Sequence, residues 1–353
     1  LSNQDQNNVG DSVVFAGFDG LRNTVARERL KPSELDTAIN VDIDDQKQIR
    51  RRRGYKKVGA AGSYHSAYSD NSGLMLVVKD GSLCRLFPDY SVSASLVSVG
   101  DQYLDYVRVS DNIYFSSLAA SGKYSVSANA VSAWGQTGGN GTWLSPVVNP
   151  TSTLGQVNGK LLGKPPMASN ISYYNGRIYL ANDTTLWATE LYLYDYIDKT
   201  RTFYQFESPI TMVDSVTDGL YVGTETTLYF LQGDAAPLKR TPIMSSGVVP
   251  SSSVSVPAEL IRPQIENSMQ YQAKNAVMFL TKSGIVAGFD SGVLYNLTQS
   301  EIILPDATRA SVMFRRQDGM NLFTAVQDSG GTPSSTARFG DWCDATIIRA
   351  VDR

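Results

Sequence analysis

The chain is poor in the residues that most enzymes and metalloproteins rely on. It has one histidine, His65, and two cysteines, Cys84 and Cys343, among 353 residues. His65 lies in the stretch GSYHSAYSD with no motif around it, which leaves little room for a Ser-His-Asp or Cys-His centre. The two cysteines are far apart and in no CxxC pattern. A disulfide framework or a zinc site is not expected, and both read as reduced and structural. No stretch approaches 18 apolar residues, so no membrane-spanning helix is expected. No signal peptide is visible, and the first residue is Leu1 rather than Met. Neither sign of charge dominates: 31 Lys and Arg stand against 34 Asp and Glu, a net charge of −3. That argues against a surface that grips nucleic acid throughout, but it allows a local basic patch. Helical periodicity is almost absent.

What is present is a recurrence of short β-type runs broken by Gly, Asp, Asn and Ser, with 19 tyrosines that suit half-buried strands. Six segments carry it: residues 73–87 (GLMLVVKDGSLCRLF), 106–117, 171–190, 212–233, 276–298 and 311–326. Each reads as an apolar strand, a two-residue turn of Asp-Gly, Asn-Gly, Asp-Asn or Ser-Gly type, and a returning strand. Further turns are expected at Thr184-Thr185, Glu225-Thr226 and Asp290-Ser291. Units spaced roughly 35 to 60 residues apart match propeller blades of about four strands. The fold class expected is all-β and β-propeller-like, with five to seven blades and inserted loops; the alternative is a large β-sandwich. Three regions follow: a strand, short helix and hairpin clasp over 1–58, the propeller-like domain over 59–328, and a tail over 329–353 docked on another surface. Insertions are expected near 119–168 and 234–262, where Ser, Gly, Asn and Pro accumulate. Apolar strands near Val13 and Asn321 are expected to pair and close the ring.

The segment GLRNTVARERLKPSELDTAINVDIDDQKQIRRRRGYKKV, residues 20–58, stands apart. KPSELDTAIN predicts a short helix capped by Ser33, with Asp36 three residues on. NVDIDD and QIRRRRGYKKV predict a hairpin. A calcium loop starting at Asp42 has Asp44 in place but puts Gln46 and Lys47 where an acid or Asn and a glycine belong, so a solvated turn fits better. On a strand, Arg50 and Arg52 face one side and Arg51 and Arg53 the other. A single nucleic-acid stripe uses only half of such a run. The rest are expected to pair with Asp42, Asp44, Asp45 or Glu34, or with a neighbouring subunit.

The order of residues Gly20–Asn23, Arg29, Leu30, Pro32, Glu34, Leu35, Ala38, Asn40–Asp45, Arg52, Arg53 and Gly54 resembles the N-terminal signature of the tail nozzle and packaged-DNA stabilisation proteins of short-tailed phages. Lys47 and Gln48 depart from it where a turn glycine is often found. The resemblance covers about 40 residues. It implies a non-enzymatic virion protein without cofactor or metal, built into the phage tail in the bacterial host cytoplasm. Copies would form a ring, most simply a homohexamer, below the portal and adaptor, meet tail fibre or spike proteins, and conduct DNA during ejection. A channel that lets a polyanion slide should avoid basic belts, with which a mildly acidic chain agrees. The clasp would then dock on a neighbouring subunit or the adaptor, with Arg29, Glu34, Asp42, Asp44, Arg50, Arg51, Arg52 and Arg53 as contact residues.

Two other functions remain open on the sequence. Aromatic strands such as LYLYDYI, residues 191–197, read first as core or blade packing and second as sugar stacking, and exposed aromatics in the long loops would suit a receptor-binding tail protein. A propeller glycosidase needs two converging carboxylates. Asp70, Asp105, Asp183, Asp214, Glu225 and Asp290 lie near expected blade strands or turns. The glycine-rich stretch GGNGTW at 138–143 lacks the Lys-Ser/Thr of a phosphate loop and reads as a turn.

Overall fold

The computed structural model describes residues 17–38, 41–43, 46–51, 58–70, 72–135, 156–157, 160–233, 236–261, 274–298, 301–302, 304, 307–317, 320–328 and 345–350. The N-terminal clasp holds β1 (Gly20–Leu21), a 3-10 turn at Arg27–Arg29, β2 (Glu34–Leu35), β3 (Val41–Ile43) and β4 (Ile49–Arg51). Five blades follow. The first contains β5 (Tyr64–Ser69), β6 (Met75–Lys79), β7 (Ser82–Leu86) and β8 (Val97–Ser98). The second contains β9 (Asp105–Val109), β10 (Asn112–Ser116), β11 (Ser121–Ser125) and β12 (Ala130–Ala133). Two strands, β13 (Gln156–Val157) and β14 (Lys160–Gly163), precede the third blade. That blade contains β15 (Asn170–Tyr174), β16 (Arg177–Asn182), β17 (Thr185–Glu190), β18 (Leu193–Asp198) and β19 (Phe203–Gln205). The fourth has β20 (Ile210–Ser215), β21 (Gly219–Thr224), β22 (Leu228–Gln232) and β23 (Lys239–Met244). The fifth has β24 (Val254–Pro257), β25 (Asn275–Thr281), β26 (Gly284–Gly288) and β27 (Leu294–Asn296). A further sheet of three strands, β28 (Arg309–Gln317), β29 (Met320–Asp328) and β30 (Ala345–Ala350), stands between the fifth blade and the first.

The first strands of consecutive sheets pack side by side, β9 on β15, β15 on β20 and β24 on β28, and so form the inner wall. Consecutive blades bury their facing surfaces against one another, as a radial stack requires. Leu76 and Leu83 meet Ile113 and Phe115 between the first and second blades. Tyr114 and Trp134 meet Ile171 and Ile178 at the next joint. Tyr179 and Leu186 meet Leu220 and Leu231. Tyr221 and Phe230 meet Val277 and Phe279. Ile285 and Phe289 meet Phe323 and Ala325 of the last sheet. A sandwich of two facing sheets is therefore excluded.

The turns follow the expected chemistry with small displacements. Asp80-Gly81 and Asn175-Gly176 lie where expected, with φ of 48° and 73°, and 44° and 77°. The second hairpin turns at Ser110-Asp111, not Asp111-Asn112, and the third blade's outer turn is Asp183-Thr184, not Thr184-Thr185. In both, the first turn residue takes the left-handed backbone, Ser110 at 55° and Asp183 at 52°. The fifth blade turns at Lys282-Ser283 rather than Ser283-Gly284.

Several expectations need correction. The helix over 31–40 is absent from its described part: β2 occupies Glu34–Leu35 and pairs in parallel with β1. Pro32 biases Lys31 towards extended backbone. The capping partners are also engaged elsewhere, Ser33 with Asp19 and Asp36 with Arg27. The insertion expected from 119 starts later, because β11 and β12 are blade strands. Likewise β23 and β24 fall in the stretch expected as a second insertion, 234–262. Of the tail, residues 345–350 form β30, which pairs with β29 in the last sheet. Asn321 belongs to β29, whose two edges are taken by β28 and β30, so it cannot pair with a strand near Val13. Val13 itself lies outside the described residues.

Close approach of the chain leaving β23 to the β21–β22 turn of the same blade leaves no room for a side chain at Gly247. A Cβ at Gly247 would run into the backbone carbonyl oxygen of Glu225, at the outer turn of β21 and β22. Because backbone cannot step aside as a side chain can, Gly247→Ala is expected to destabilise the fold by about 1–3 kcal/mol in urea denaturation.

Candidate functional site

Three places in the ring bring polar groups together: the clasp, the inner wall, and the joint between the last sheet and the first blade. In the clasp, Gly20↔Glu34 and Leu21↔Leu35 are registered in parallel. The Arg22 guanidinium reaches Glu34 Oε1 at 2.8 Å, and the other oxygen accepts Lys31 N–H at 3.0 Å. These contacts, the Lys31 amide first, hold the Glu34 carboxyl below its ordinary 4.5. The Glu34 side chain is only 10% exposed, covered by the clasp's own residues rather than by a deep core. Arg27 Nε meets Asp36 at 2.6 Å. Asp19 joins the halves, taking Ser33 Oγ at 2.5 Å and Lys47 Nζ at 2.6 Å, while Phe18 N–H donates to Lys47 O at 2.7 Å. The Asn23 N–H donates to Glu301 O at 3.0 Å, which ties the clasp to the ring. Since a depressed carboxyl contributes stability above its unfolded value, the Arg22–Glu34 lock is expected to hold above pH 4.5. It should loosen as pH falls through Glu34's lowered value, seen as faster proteolysis within residues 20–51.

The sequence-derived contact residues divide accordingly. Glu34 pairs with Arg22 within the clasp. Arg29 is exposed in the 3-10 turn. Asp42 stands opposite Arg50 in the β3–β4 register, and Val41 opposite Arg51. Arg50 and Arg51 are exposed on opposite faces, above half-buried Val41, Ile43 and Ile49. Asp44, Arg52 and Arg53 lie outside the described residues.

Among the six candidate carboxylates, the structure brings two into one electrostatic environment. Asp105 opens β9, accepting Tyr106 N–H at 2.9 Å and Ile171 N–H at 2.7 Å. Asp214, near the end of β20, is bonded by the Ser253 side chain. Burial pushes Asp105 up to about 7; the Ile171 amide opposes this and the Asp214 charge adds to it. Burial likewise pushes Asp214 up to about 6. The influence runs one way because Asp214 ionises first, beside a neutral Asp105, whereas Asp105 must ionise beside a charge already present. Both retain some exposed surface while protein surrounds them, as befits a narrow inner wall. At neutral pH Asp105 is therefore about half protonated and Asp214 mostly ionised.

The other four do not converge there. Asp70 pairs with Arg108 and caps Ser72. Asp183 is a turn residue, its carbonyl accepting Ile210 N–H at 2.9 Å. Glu225 lies at the β21–β22 turn. Asp290 accepts Thr217 N–H at 3.0 Å while Asp218 accepts Ser291 N–H at 2.9 Å, a reciprocal tie between the fourth and fifth blades.

At the third place, Arg309 lays its guanidinium 3.9 Å from the centre of the Tyr103 ring, and His65 packs on the same ring at 5.1 Å. Cys84 is buried, which pushes its thiol up and keeps it unreactive. Cys343 lies outside the described residues. Among the described residues no group of three or more potential metal ligands occurs, and no helix is long and apolar enough to cross a membrane.

No family model matches the sequence, and no curated protein is detectably similar. Solved structures with a similar course include the extracellular domain of a one component system from B. thetaiotaomicron, 14% identical with a TM-score of 0.45 over 78% of this chain and 33% of that one. BBS1N in complex with ARL6DN is 11% identical, TM-score 0.46, over 82% of this chain and 84% of the other. The WD40 domain of Neurospora crassa Pan2 is 10% identical, TM-score 0.40, over 73% and 70%. The chain thus spans a third of the first of these. The likenesses concern the propeller fold alone.

Proposed function

We propose that this chain is a structural subunit of a phage tail, a nozzle or hub whose copies assemble into a ring, most simply a hexamer, around the path of the DNA. The observation that carries the reading is the clasp. Its residues resemble the nozzle signature, and its β3–β4 hairpin exposes Arg50 and Arg51 on opposite faces. A lone two-stranded hairpin is marginal in water and gains stability from a partner. The occupant we assign is the next copy of the same chain. Residues 50–57 carry six cations, while the chain as a whole has a net charge of −3, so the remainder of each subunit is distinctly acidic. A basic strip on an acidic body favours self-association in one orientation.

Native mass spectrometry of the full chain, alone and with its adaptor, tests this. A ring mass is expected, and the double change Arg50→Glu and Arg51→Glu should weaken the assembly about tenfold or more, equivalent to ~1.4 kcal/mol. A chain that stays monomeric with its adaptor and is absent from purified virions overturns the proposal. A second reading, glycoside hydrolysis, is favoured by one observation, the Asp105 and Asp214 pair with displaced titrations. It requires sugar release from a polysaccharide that disappears in Asp105→Asn.

A further inference from the structure

Among the described residues, buried apolar clusters bridge every pair of adjoining sheets except the last sheet and the first blade. There the joint is polar. Arg309 begins β28 and stacks on Tyr103, which lies in the connection from the first blade to the second. His65, in the first strand of the first blade, packs on the same ring. It is the only histidine in the chain. A bulge in β5 at Ser66, whose φ is 52°, organises the three elements. Ser66 Oγ accepts Leu104 N–H at 2.9 Å and lies 2.8 Å from His65 Nδ1, and Ser66 O accepts the Tyr106 hydroxyl at 2.9 Å. Ser66 Oγ and His65 Nδ1 share one hydrogen, and which of them donates depends on the imidazole tautomer.

We propose that His65, Tyr103 and Arg309 form an acid-sensitive latch that closes the propeller. While His65 is neutral, the Arg309 guanidinium rests on the tyrosine ring. When His65 takes a proton, both ring nitrogens become donors, and a second cation shares the same ring with Arg309. The cation–π attraction that holds the joint and the repulsion between two partly buried cations are of the same order, so protonation shifts the balance towards opening. The charged and titratable groups facing His65 are Asp101 and Tyr103 from the connection and Arg309 from β28. Burial lowers the His65 titration below its ordinary 6.5; Asp101 opposes this and Arg309 reinforces it. The latch therefore contributes fully above pH 6.5, and its contribution is lost as pH falls through the lowered value.

Being unique, His65 can be titrated directly by NMR in the intact protein, and hydrogen exchange of β5 and β28 can be compared at pH 7.5 and 5.0, with β21 and β22 as internal reference. The latch predicts a titration below 6.5. It also predicts a several-fold acid-induced rise in β28 exchange relative to the reference, which His65→Gln abolishes. A titration at or above 6.5, or an unchanged acid step in His65→Gln, overturns it. Tyr103→Leu, at a position 48% exposed, gives a second route. It should leave β28 fast-exchanging at both pH values, and wild-type exchange in that variant also overturns the latch.

Discussion

Trp134→Ala is expected to remove about 4–5 kcal/mol of stability. Trp134 is 1% exposed and joins the second blade to the third. Its ring centre lies 5.0 Å from that of Tyr114 in a tilted contact, and Val109, Ile171, Ile178 and Leu180 complete the cluster. Its Nε1–H donates to Tyr194 O at 2.8 Å. Truncating a buried tryptophan costs about 3–5 kcal/mol through lost transfer energy and the cavity left behind. Leaving the Tyr194 carbonyl unmatched adds about 1 kcal/mol or more. Trp134→Phe keeps most of the packing but not the donor, so about 2 kcal/mol is expected. Urea denaturation at unchanged slope separates the two. A loss below about 1 kcal/mol for the alanine variant would mean that this joint is held by something else.

Asp214→Asn should stabilise the protein at alkaline pH and leave it nearly unchanged near pH 4. Asp214 titrates at about 6 and Asp105 at about 7 in the folded chain, against 3.8 when unfolded. Between these limits the native state holds protons that the unfolded chain has released, so stability declines as pH rises from about 4 to 7. Asparagine cannot ionise and can still hydrogen-bond to Ser253. With water at the partly exposed carboxyl taken into account, the gain at pH 8 should be about 2 kcal/mol. The same change removes the charge that raises Asp105, whose titration should then move down, measurable by carboxyl-carbon NMR. Thermal unfolding of wild type and variant from pH 4 to 8 provides the comparison. Parallel curves would show that Asp214 is not the source of the slope. The His65 latch acts in the opposite sense, so the wild-type profile is the sum of two opposed tendencies.

Much of this architecture could be read from turn chemistry. Asp80-Gly81 and Asn175-Gly176 were legible because two successive left-handed residues are tolerated by few dipeptides. Ser110-Asp111 and Asp183-Thr184 were displaced by one residue because serine and aspartate adopt that backbone less conspicuously than glycine does. Besides the local bias from Pro32, the helix expected around Ser33 failed for a non-local reason: Asp19, 14 residues earlier, takes the Ser33 hydroxyl that would have capped it. The paired behaviour of Asp105 and Asp214 was not legible at all. Both were candidates, but their proximity depends on how the second and fourth blades face the inner wall, which no local pattern encodes. The same holds for His65 and Arg309, which begin opposite ends of the ring and meet only when it closes.

The third blade carries more strands than its companions, because β14 pairs with β18 and β13 with β14 beyond the usual outer position. A wheel of near-equal spokes offers a visitor no way to know how far it has been turned. One broadened spoke acts as an index mark, so anything that grips the rim at that sector is fixed in azimuth as well as in height.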